Sequence, residues 1–177
     1  ESFSNPKTYK NHRLYAVDGT WIYMPQTLAC VDAFGSVKNQ YEHVAVCMAK
    51  ASFLSDVLNR WVINTELGRS DTGEIQLLQN QLDVVPEDGI LILDRAYASI
   101  ALIHKLNQLN IKFVIRCKKS HSNTVKKFVA NTEMRDVIIK EKLTDRAITT
   151  LKKEVENDSI AKAAINCHVK VSYRLVK

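Results

Sequence analysis

The chain contains two short apolar runs that both end in an aspartate. One run extends from Arg13 to Asp18 and the other from Gly89 to Asp94, and most residues before each aspartate favour β-strands. Two such strands side by side would bring the carboxylates together, where they repel each other unless a cation lies between them. Magnesium is a suitable cation, because hard divalent ions take carboxylate oxygens as ligands. The alternative is that these are two unrelated surface aspartates at strand ends.

Length and composition indicate a globular protein of one ordinary domain, or of one domain with an appendage. Hydrophobic residues make up 46% and charged residues 25% of the 177 positions. No apolar run approaches the roughly 20 residues that cross a bilayer, and no signal peptide is visible. The cysteines are far apart and have no zinc-ligand spacing; they are Cys30, Cys47, Cys117 and Cys167. We therefore expect a cytosolic protein with reduced thiols and no membrane association.

Basic residues cluster just after a strand predicted at residues 112–116. This basic cluster consists of Arg116, Lys118, Lys119, Lys126 and Lys127, in a chain with a formal net charge of +6. Such a cluster suits the phosphate backbone of a nucleic acid, although a solvated loop is the simpler explanation.

The order of predicted elements indicates an α/β fold with a mixed sheet. The early strand-like segments are residues 14–17, 21–24, 43–52 and 61–67. Residues 21–24 either continue the first strand or begin its partner. A strand, an amphipathic helix and a second strand follow at residues 90–93, 100–109 and 112–116. This unit implies a parallel crossover with Asp94 at the carboxyl end of its first strand, where ligands bind in open α/β sheets.

Two side chains near these elements have simple expected roles. Glu74 follows Asp71 at the spacing of a capping box, so it is expected to cap the helix that begins there. His104 lies on the polar side of the helix at residues 100–109, so we expect it to be exposed.

From about Lys118 the chain has fewer large apolar residues and more charge. We therefore predict a core at residues 1–117 and an inserted or appended subdomain at residues 118–177. The predicted elements of this second region are a short helix around 125–129, a strand at 137–140, a helix at 148–164 and a strand at 168–176. Because the chain begins without Met and stops inside a strand-like alternation, we expect it to be a fragment of a longer protein.

Five segments occur in a characteristic order along the first two thirds of the chain. They are Tyr15-Ala-Val-Asp18-Gly-Thr, Ser55-Asp-Val-Leu-Asn59, Glu74 opening a helix, Ile92-Leu-Asp94-Arg-Ala-Tyr97-Ala-Ser99 and Phe113-Val-Ile-Arg116. In this order they resemble bacterial insertion-sequence transposases of the insertion sequence 4 family. The resemblance covers residues 13–118 well and the remainder loosely, and Ala96 stands where the family usually has Gly. It implies a ribonuclease H-like mixed sheet flanked by helices, followed by the start of a β-rich insertion subdomain.

The resemblance also implies a chemistry for the two aspartates. Family members hold two divalent ions, Mg²⁺ or Mn²⁺, with two aspartates and a glutamate, and Asp18 and Asp94 match the two aspartates. The metals serve an in-line phosphoryl displacement that cuts transposon ends and joins them to target DNA. The implied partner is double-stranded DNA, both terminal inverted repeats and target, on which a dimer assembles. The implied location is the bacterial cytoplasm, in association with the nucleoid.

Residues beside the second aspartate are candidates for contacts with DNA, together with the basic cluster. Arg95 and Tyr97 directly follow Asp94 and are placed to reach the scissile DNA. Tyr97 could equally pack beneath the following helix, and the sequence leaves both alternatives open.

The third catalytic acid of the family has no match in this sequence. In the family it lies in a Tyr-x2-Arg-x3-Glu-x6-Lys motif, but here Tyr173 is followed by Val176 where the arginine should stand. The glutamates downstream of Asp94 that lie outside any such motif include Glu133, Glu141, Glu154 and Glu156. We expect the chain to stop before the catalytic glutamate and to be inactive alone. The alternative is a decayed or domesticated ribonuclease H-like nuclease or DNA-binding remnant.

Overall fold

In the computed structural model, which describes residues 5–38, 44–153 and 170–177, the chain divides into two units. We call Glu1–Leu93 the N-terminal unit and Asp94–Lys177 the C-terminal unit. The predicted division into a core and a subdomain at residues 117 and 118 is a separate question and stays a prediction.

Some predicted features lie outside the described residues. They are the start of the strand expected from His43, the helix beyond Lys153, the start of the last strand at His168, and Glu154, Glu156 and Cys167. The other three cysteines are free thiols in the structure.

The N-terminal unit contains strands and short helices in the order that the sequence predicts, with additions between the first strands. Its strands are β1 (Arg13–Tyr23), β2 (Ser36–Lys38), β3 (Ala45–Asp56), β4 (Trp61–Gly68) and β5 (Gly89–Leu93). Its helices are α1 (Leu28–Phe34) and α2 (Glu74–Gln79), with a 3-10 turn at Leu82–Val84. Strand β1 runs without interruption, so residues 21–23 continue the first strand.

Strand β3 lies at the centre of the sheet in the N-terminal unit. It pairs antiparallel with β1, from Tyr15–Asp56 at one end to Tyr23–Met48 at the other. Its other edge pairs antiparallel with β4 and, nearer its beginning, with β2. Strand β1 in turn pairs parallel with β5. The sheet therefore has both kinds of pairing, which confirms the predicted α/β class with a mixed sheet.

Two glycines allow close packing within this unit. Strand β5 begins at Gly89, where a Cβ atom would lie 2.6 Å from the ring of the buried Tyr15. Strand β4 ends at Gly68, where a Cβ atom would lie 2.8 Å from Leu77 Cδ2 of α2. A larger residue at either position would push apart elements that the sheet and its helix need in contact.

A buried ion pair joins β1 to β3. Arg13 places its Nε at 2.8 Å and its Nη2 at 2.7 Å from Asp56 Oδ2. The other carboxylate oxygen accepts the backbone N–H of Asn59 at 3.0 Å and its side-chain amide at 2.9 Å. Burial alone would raise the pKa of Asp56, but these hydrogen bonds and Arg13 outweigh it and lower the pKa below its ordinary value. The guanidinium also lies over the rings of Tyr15 and Trp61, at 5.3 and 5.8 Å.

The C-terminal unit begins with a 3-10 turn at Arg95–Tyr97. Its further elements are α3 (Ile100–Gln108), β6 (Lys112–Ile115), α4 (Asn123–Ala130), β7 (Asp136–Lys142), α5 (Asp145–Lys153) and β8 (Lys170–Val176). These confirm the helices and strands predicted from residue 100 onward, as far as the structure describes them. One hydrophobic core lies among α3, α5 and β8, with buried Ala101, Ile103, Leu143, Ala147, Leu151 and Val171.

Strands β7 and β8 pair antiparallel and are tied to α4 by side-chain hydrogen bonds. The hydroxyl of Tyr173 donates to Glu141 Oε1 at 2.6 Å, and the hydroxyl of Thr124 donates to Glu141 Oε2 at 2.9 Å. Burial, with the neighbouring carboxylate, raises the pKa of Tyr173. Both carboxylate oxygens of Glu141 therefore accept hydrogen bonds within this unit.

Three local features differ from the sequence predictions. Helix α1 was not predicted, because it has only seven residues and a single polar one, Asp32, so no amphipathic pattern marks it. The capping box expected at Asp71 and Glu74 is wrong, since α2 has Gly73 as its N-cap and no side-chain cap hydrogen bond. The expected exposure of His104 is also wrong, because this side chain is only 3% exposed. Its neighbours Ala101, Leu102, Ile103 and Leu106 are buried too, so α3 is covered on more than its apolar side.

We predict that Asp56→Asn lowers the free energy of unfolding by about 2–4 kcal/mol, because it leaves the Arg13 guanidinium without its carboxylate. Chemical denaturation followed by tryptophan fluorescence measures the loss, since Trp21 and Trp61 both belong to this unit.

The matched control is Asp71→Asn, whose carboxyl is 78% exposed and 3.5 Å from Arg69, with an expected loss below about 0.5 kcal/mol. The folded state lowers the pKa of Asp56, so its contribution is present above the unfolded pKa of about 3.9 and is lost as the pH falls further. Equal losses in the two variants at neutral pH would contradict this account.

A second prediction follows from the burial of His104, which lowers its pKa. Below the unfolded value of about 6.5 the unfolded chain binds a proton more readily than the folded chain, so stability falls as the pH drops toward the folded pKa. His104→Leu should reduce the loss of thermal stability between about pH 7 and pH 5.5. Melting curves by circular dichroism measure it, with the exposed His121→Leu as control. An unchanged pH dependence in His104→Leu would refute the assignment.

Candidate active site

Asp18 lies on β1 beyond the part of that strand that pairs with β5. Residues of β1 alternate in burial up to this point, with Tyr15 and Val17 buried and Asp18 exposed. One oxygen of its carboxylate accepts the backbone N–H of Gly19 at 2.9 Å. The side chain is therefore held at one oxygen and open to solvent on the face of the sheet opposite to Tyr15 and Val17.

Asp94 directly follows β5 and begins the 3-10 turn that leads to α3. Its backbone carbonyl accepts the N–H of Tyr97 at 3.0 Å, which closes the turn. Its carboxyl group is 51% exposed, and Arg116 Nη2 lies 2.8 Å from Oδ1. The backbone N–H of Arg95 and then the charge of Arg116 hold the pKa of Asp94 below its ordinary value. Asp94 is thus an anionic, partly exposed carboxylate at neutral pH.

The parallel register of β1 and β5 gives the two aspartates equivalent positions relative to the paired part of the two strands. Within the N-terminal unit the pairing extends from Arg13–Gly89 to Ala16–Ile92. Asp18 and Asp94 each follow the last of these pairs by two residues. That their carboxylates are neighbours stays a prediction. Among the residues that the structure describes, no group of three or more His, Cys, Asp or Glu side chains is placed to hold a metal ion.

Glu74 is the other acidic residue close to β1. A Cβ atom at Gly19 would lie 3.5 Å from Glu74 Cγ and 3.6 Å from its Cδ. Successive residues of a strand point to opposite faces, so Glu74 approaches β1 on the face opposite to the side chain of Asp18. The sequence had singled out Glu74, but the structure does not bring it together with Asp18.

The residues predicted to contact DNA differ in exposure. Arg95 is exposed, but Tyr97 is only 2% exposed. The buried ring fits the packing alternative that the sequence left open, and a contact of Tyr97 with DNA stays a prediction. A phenol ring buried to this extent cannot reach a base or a phosphate without local rearrangement.

All members of the basic cluster are exposed in the C-terminal unit. Arg116 directly follows β6, Lys118 and Lys119 lie in the loop before α4, and Lys126 and Lys127 are on α4 itself. Because these positions lie on one loop and the helix after it, the cluster is a continuous segment of positive charge.

Two further basic residues line a hollow of about 630 Å³ in this unit, beside Arg116 and Lys119. They are Arg174 and Lys177, which are remote from the cluster in sequence. Arg174 forms an ion pair with Asp136, and this hydrogen bond lowers the pKa of Asp136. The ammonium group of Lys177 lies 4.9 Å from the centre of the Phe128 ring. No local pattern could have revealed these residues, because β8 comes near α4 only through the fold.

Comparison with protein families gives one match over most of the chain. The family described as "Transposase DDE domain" matches residues 9–165. No curated protein matches the sequence. Among the residues that the structure describes, no helix has the length and apolar character needed to cross a bilayer.

Comparison with solved structures finds distant similarities. A cryo-EM structure titled as a piggyBac transposase synaptic complex with hairpin DNA is 14% identical, with a TM-score of 0.46, over 80% of this chain and 29% of that chain. A Mos1 transposase paired-end complex with the left transposon end is 15% identical, with a TM-score of 0.39, over 88% of this chain and 52% of that chain. The chain therefore spans about a third to a half of the length of these proteins.

Proposed function

Because the chain belongs to the family of transposase DDE domains, we propose that it forms part of a DNA transposase that cuts transposon ends and joins them to target DNA. The finer assignment is to the bacterial insertion sequence 4 branch, with a ribonuclease H-like catalytic fold and action at the nucleoid. The observation that carries the proposal is the parallel pairing of β1 with β5. Two residues after the last pair of this ladder, Ala16–Ile92, each chain segment has an aspartate, Asp18 in one and Asp94 in the other.

The acidic residues fit a hard divalent cation. Asp18 and Asp94 supply carboxylate oxygens, both side chains are accessible to solvent, and one oxygen of Asp18 is oriented by Gly19. These two residues would hold Mg²⁺ or Mn²⁺, of which the complete active site takes two. Bound there, the metal would activate a water or a 3′-hydroxyl and stabilise the leaving oxygen of a phosphoryl displacement. The third acid is not assigned to any described residue.

The basic cluster supports double-stranded DNA as the partner. Lysines on a loop and the following helix attract a phosphate backbone without reading its sequence. Exposed Arg95, beside Asp94, would contribute to the same surface. The transposon terminal inverted repeats and the target DNA are the proposed substrates, with a dimer as the assembled form.

A DNA-binding remnant is the second candidate function. It is favoured by the finding that, within the described ranges, neither Asp18 nor Asp94 belongs to a group of three or more His, Cys, Asp or Glu side chains that could hold a metal ion. Such a remnant would bind DNA but would have no need of a metal at the two aspartates, so metal binding separates the two candidates.

We predict that the chain binds Mn²⁺ weakly and that Asp18→Asn or Asp94→Asn weakens this binding at least about tenfold, because each removes a charged ligand. Electron paramagnetic resonance of free Mn²⁺ during a titration measures the affinity. Asp71→Asn is the matched control and should bind as the original chain does. Binding that survives both substitutions would exclude the proposed metal site and favour the remnant.

We also predict weak DNA binding without sequence preference that falls steeply with salt, because each neutralised phosphate releases counterions. Replacing Lys118, Lys119, Lys126 and Lys127 by glutamine should reduce the slope of log affinity against log salt by up to about 3–4. Fluorescence anisotropy with a labelled duplex measures the slope.

The control for this experiment removes the same charge elsewhere in the sequence. Glutamine at the exposed positions Lys7, Lys10, Lys38 and Lys142 should leave most of the salt slope in place. If both sets of substitutions reduce the slope equally, the basic cluster is not the DNA surface.

A further inference from the structure

The ion pair between Arg116 and Asp94 lies within the C-terminal unit, at the aspartate proposed to bind metal. Arg116 is the first residue after β6 and Asp94 the first after β5. Arg116 Nη2 is 2.8 Å from Asp94 Oδ1, and the two side chains are 70% and 51% exposed. Among the described residues, the lysines of the basic cluster form no such ion pair, so Arg116 is distinguished from them by a specific carboxylate contact.

The chemistry of this contact sets up a competition. A carboxylate oxygen that accepts a short hydrogen bond from a guanidinium uses a lone pair for that contact. A divalent ion needs the same oxygens, and it would also repel the guanidinium at such close range. The two cations therefore cannot share Asp94 without cost. An exposed pair contributes little to stability, so release of Arg116 costs the fold little.

We propose that Arg116 is a built-in counter-ion of Asp94, which a divalent metal displaces, and that the displaced guanidinium then binds a nucleic-acid phosphate. Arg116 is in this sense a positioning residue: it holds the Asp94 carboxylate until the metal arrives. Metal binding at Asp94 thereby makes the Arg116 side chain available to bind DNA. The inference rests on the proposed function, because it requires a metal at Asp94.

The first test compares Mn²⁺ affinities of the whole chain by titration. Arg116→Gln should tighten binding by about threefold to tenfold, because the competing cation is gone. The matched control Lys119→Gln removes the same charge three residues away and should change the affinity by less than about twofold. Arg116→Lys, which keeps the charge, should stay closer to the original chain than Arg116→Gln does. Equal effects of Arg116→Gln and Lys119→Gln would overturn the proposal.

The second test observes the guanidinium directly by nuclear magnetic resonance. The side-chain N–H signals of Arg116 can be assigned by their loss in Arg116→Gln. They should move during a titration with Mg²⁺, and the midpoint of this change should equal the dissociation constant of the metal. Signals that do not move at saturating Mg²⁺ would overturn the displacement. An ion pair that the metal does not displace would leave these signals unmoved.

A further variant separates failure of this inference from failure of the proposed function. Asp94→Asn should weaken Mn²⁺ binding both alone and combined with Arg116→Gln. If Asp94→Asn has no effect, the metal site is not at Asp94 and both proposals fall. If Asp94→Asn removes binding while Arg116→Gln behaves like Lys119→Gln, the metal site stands and only the role of Arg116 is refuted.

Discussion

The parallel pairing of β1 with β5 is the constraint on which the candidate site depends. Side chains alternate between faces along a strand, so a slip of one residue in this register would place the side chains of β5 on the opposite face relative to those of β1. Gly89 helps to specify the register, because only a residue without Cβ leaves room for the Tyr15 ring at this place. On the other side of β1, the contact of Arg13 with Asp56 specifies its register against β3.

Two arginine–aspartate pairs of similar length have opposite consequences in this molecule. Arg13 meets a fully buried carboxylate that also accepts hydrogen bonds from Asn59, so loss of the guanidinium would leave the Asp56 charge where water does not reach it. Arg116 meets a carboxylate that is half exposed, where solvent replaces either partner readily. The difference in burial therefore means that the Arg13–Asp56 pair contributes to the stability of the fold, while separating Arg116 from Asp94 costs little stability.

Most strands and helices could be predicted from local patterns, and the failures have identifiable causes. The apolar run before Asp94 is recognised by its strand length and the helix after Ser99 by its amphipathic periodicity, and both appear where expected. Helix α1 has only seven residues, of which Asp32 alone is polar, so no amphipathic pattern marks it. The exposure of His104 was misjudged for another reason: a helix that is covered on several sides buries residues that a single amphipathic face would leave in water.

The sequence by itself identified two aspartates that each follow a short apolar run, a basic segment after β6, and the family to which the chain belongs. These features are local, since each depends on neighbouring residues and on spacing that the chain carries wherever it folds. Only the tertiary structure decided which charges meet. The contact of Arg116 with Asp94, the hollow shared with Arg174 and Lys177, and the approach of Glu74 to the far face of β1 join residues distant in sequence. Such contacts depend on strand order and packing, which no local pattern encodes.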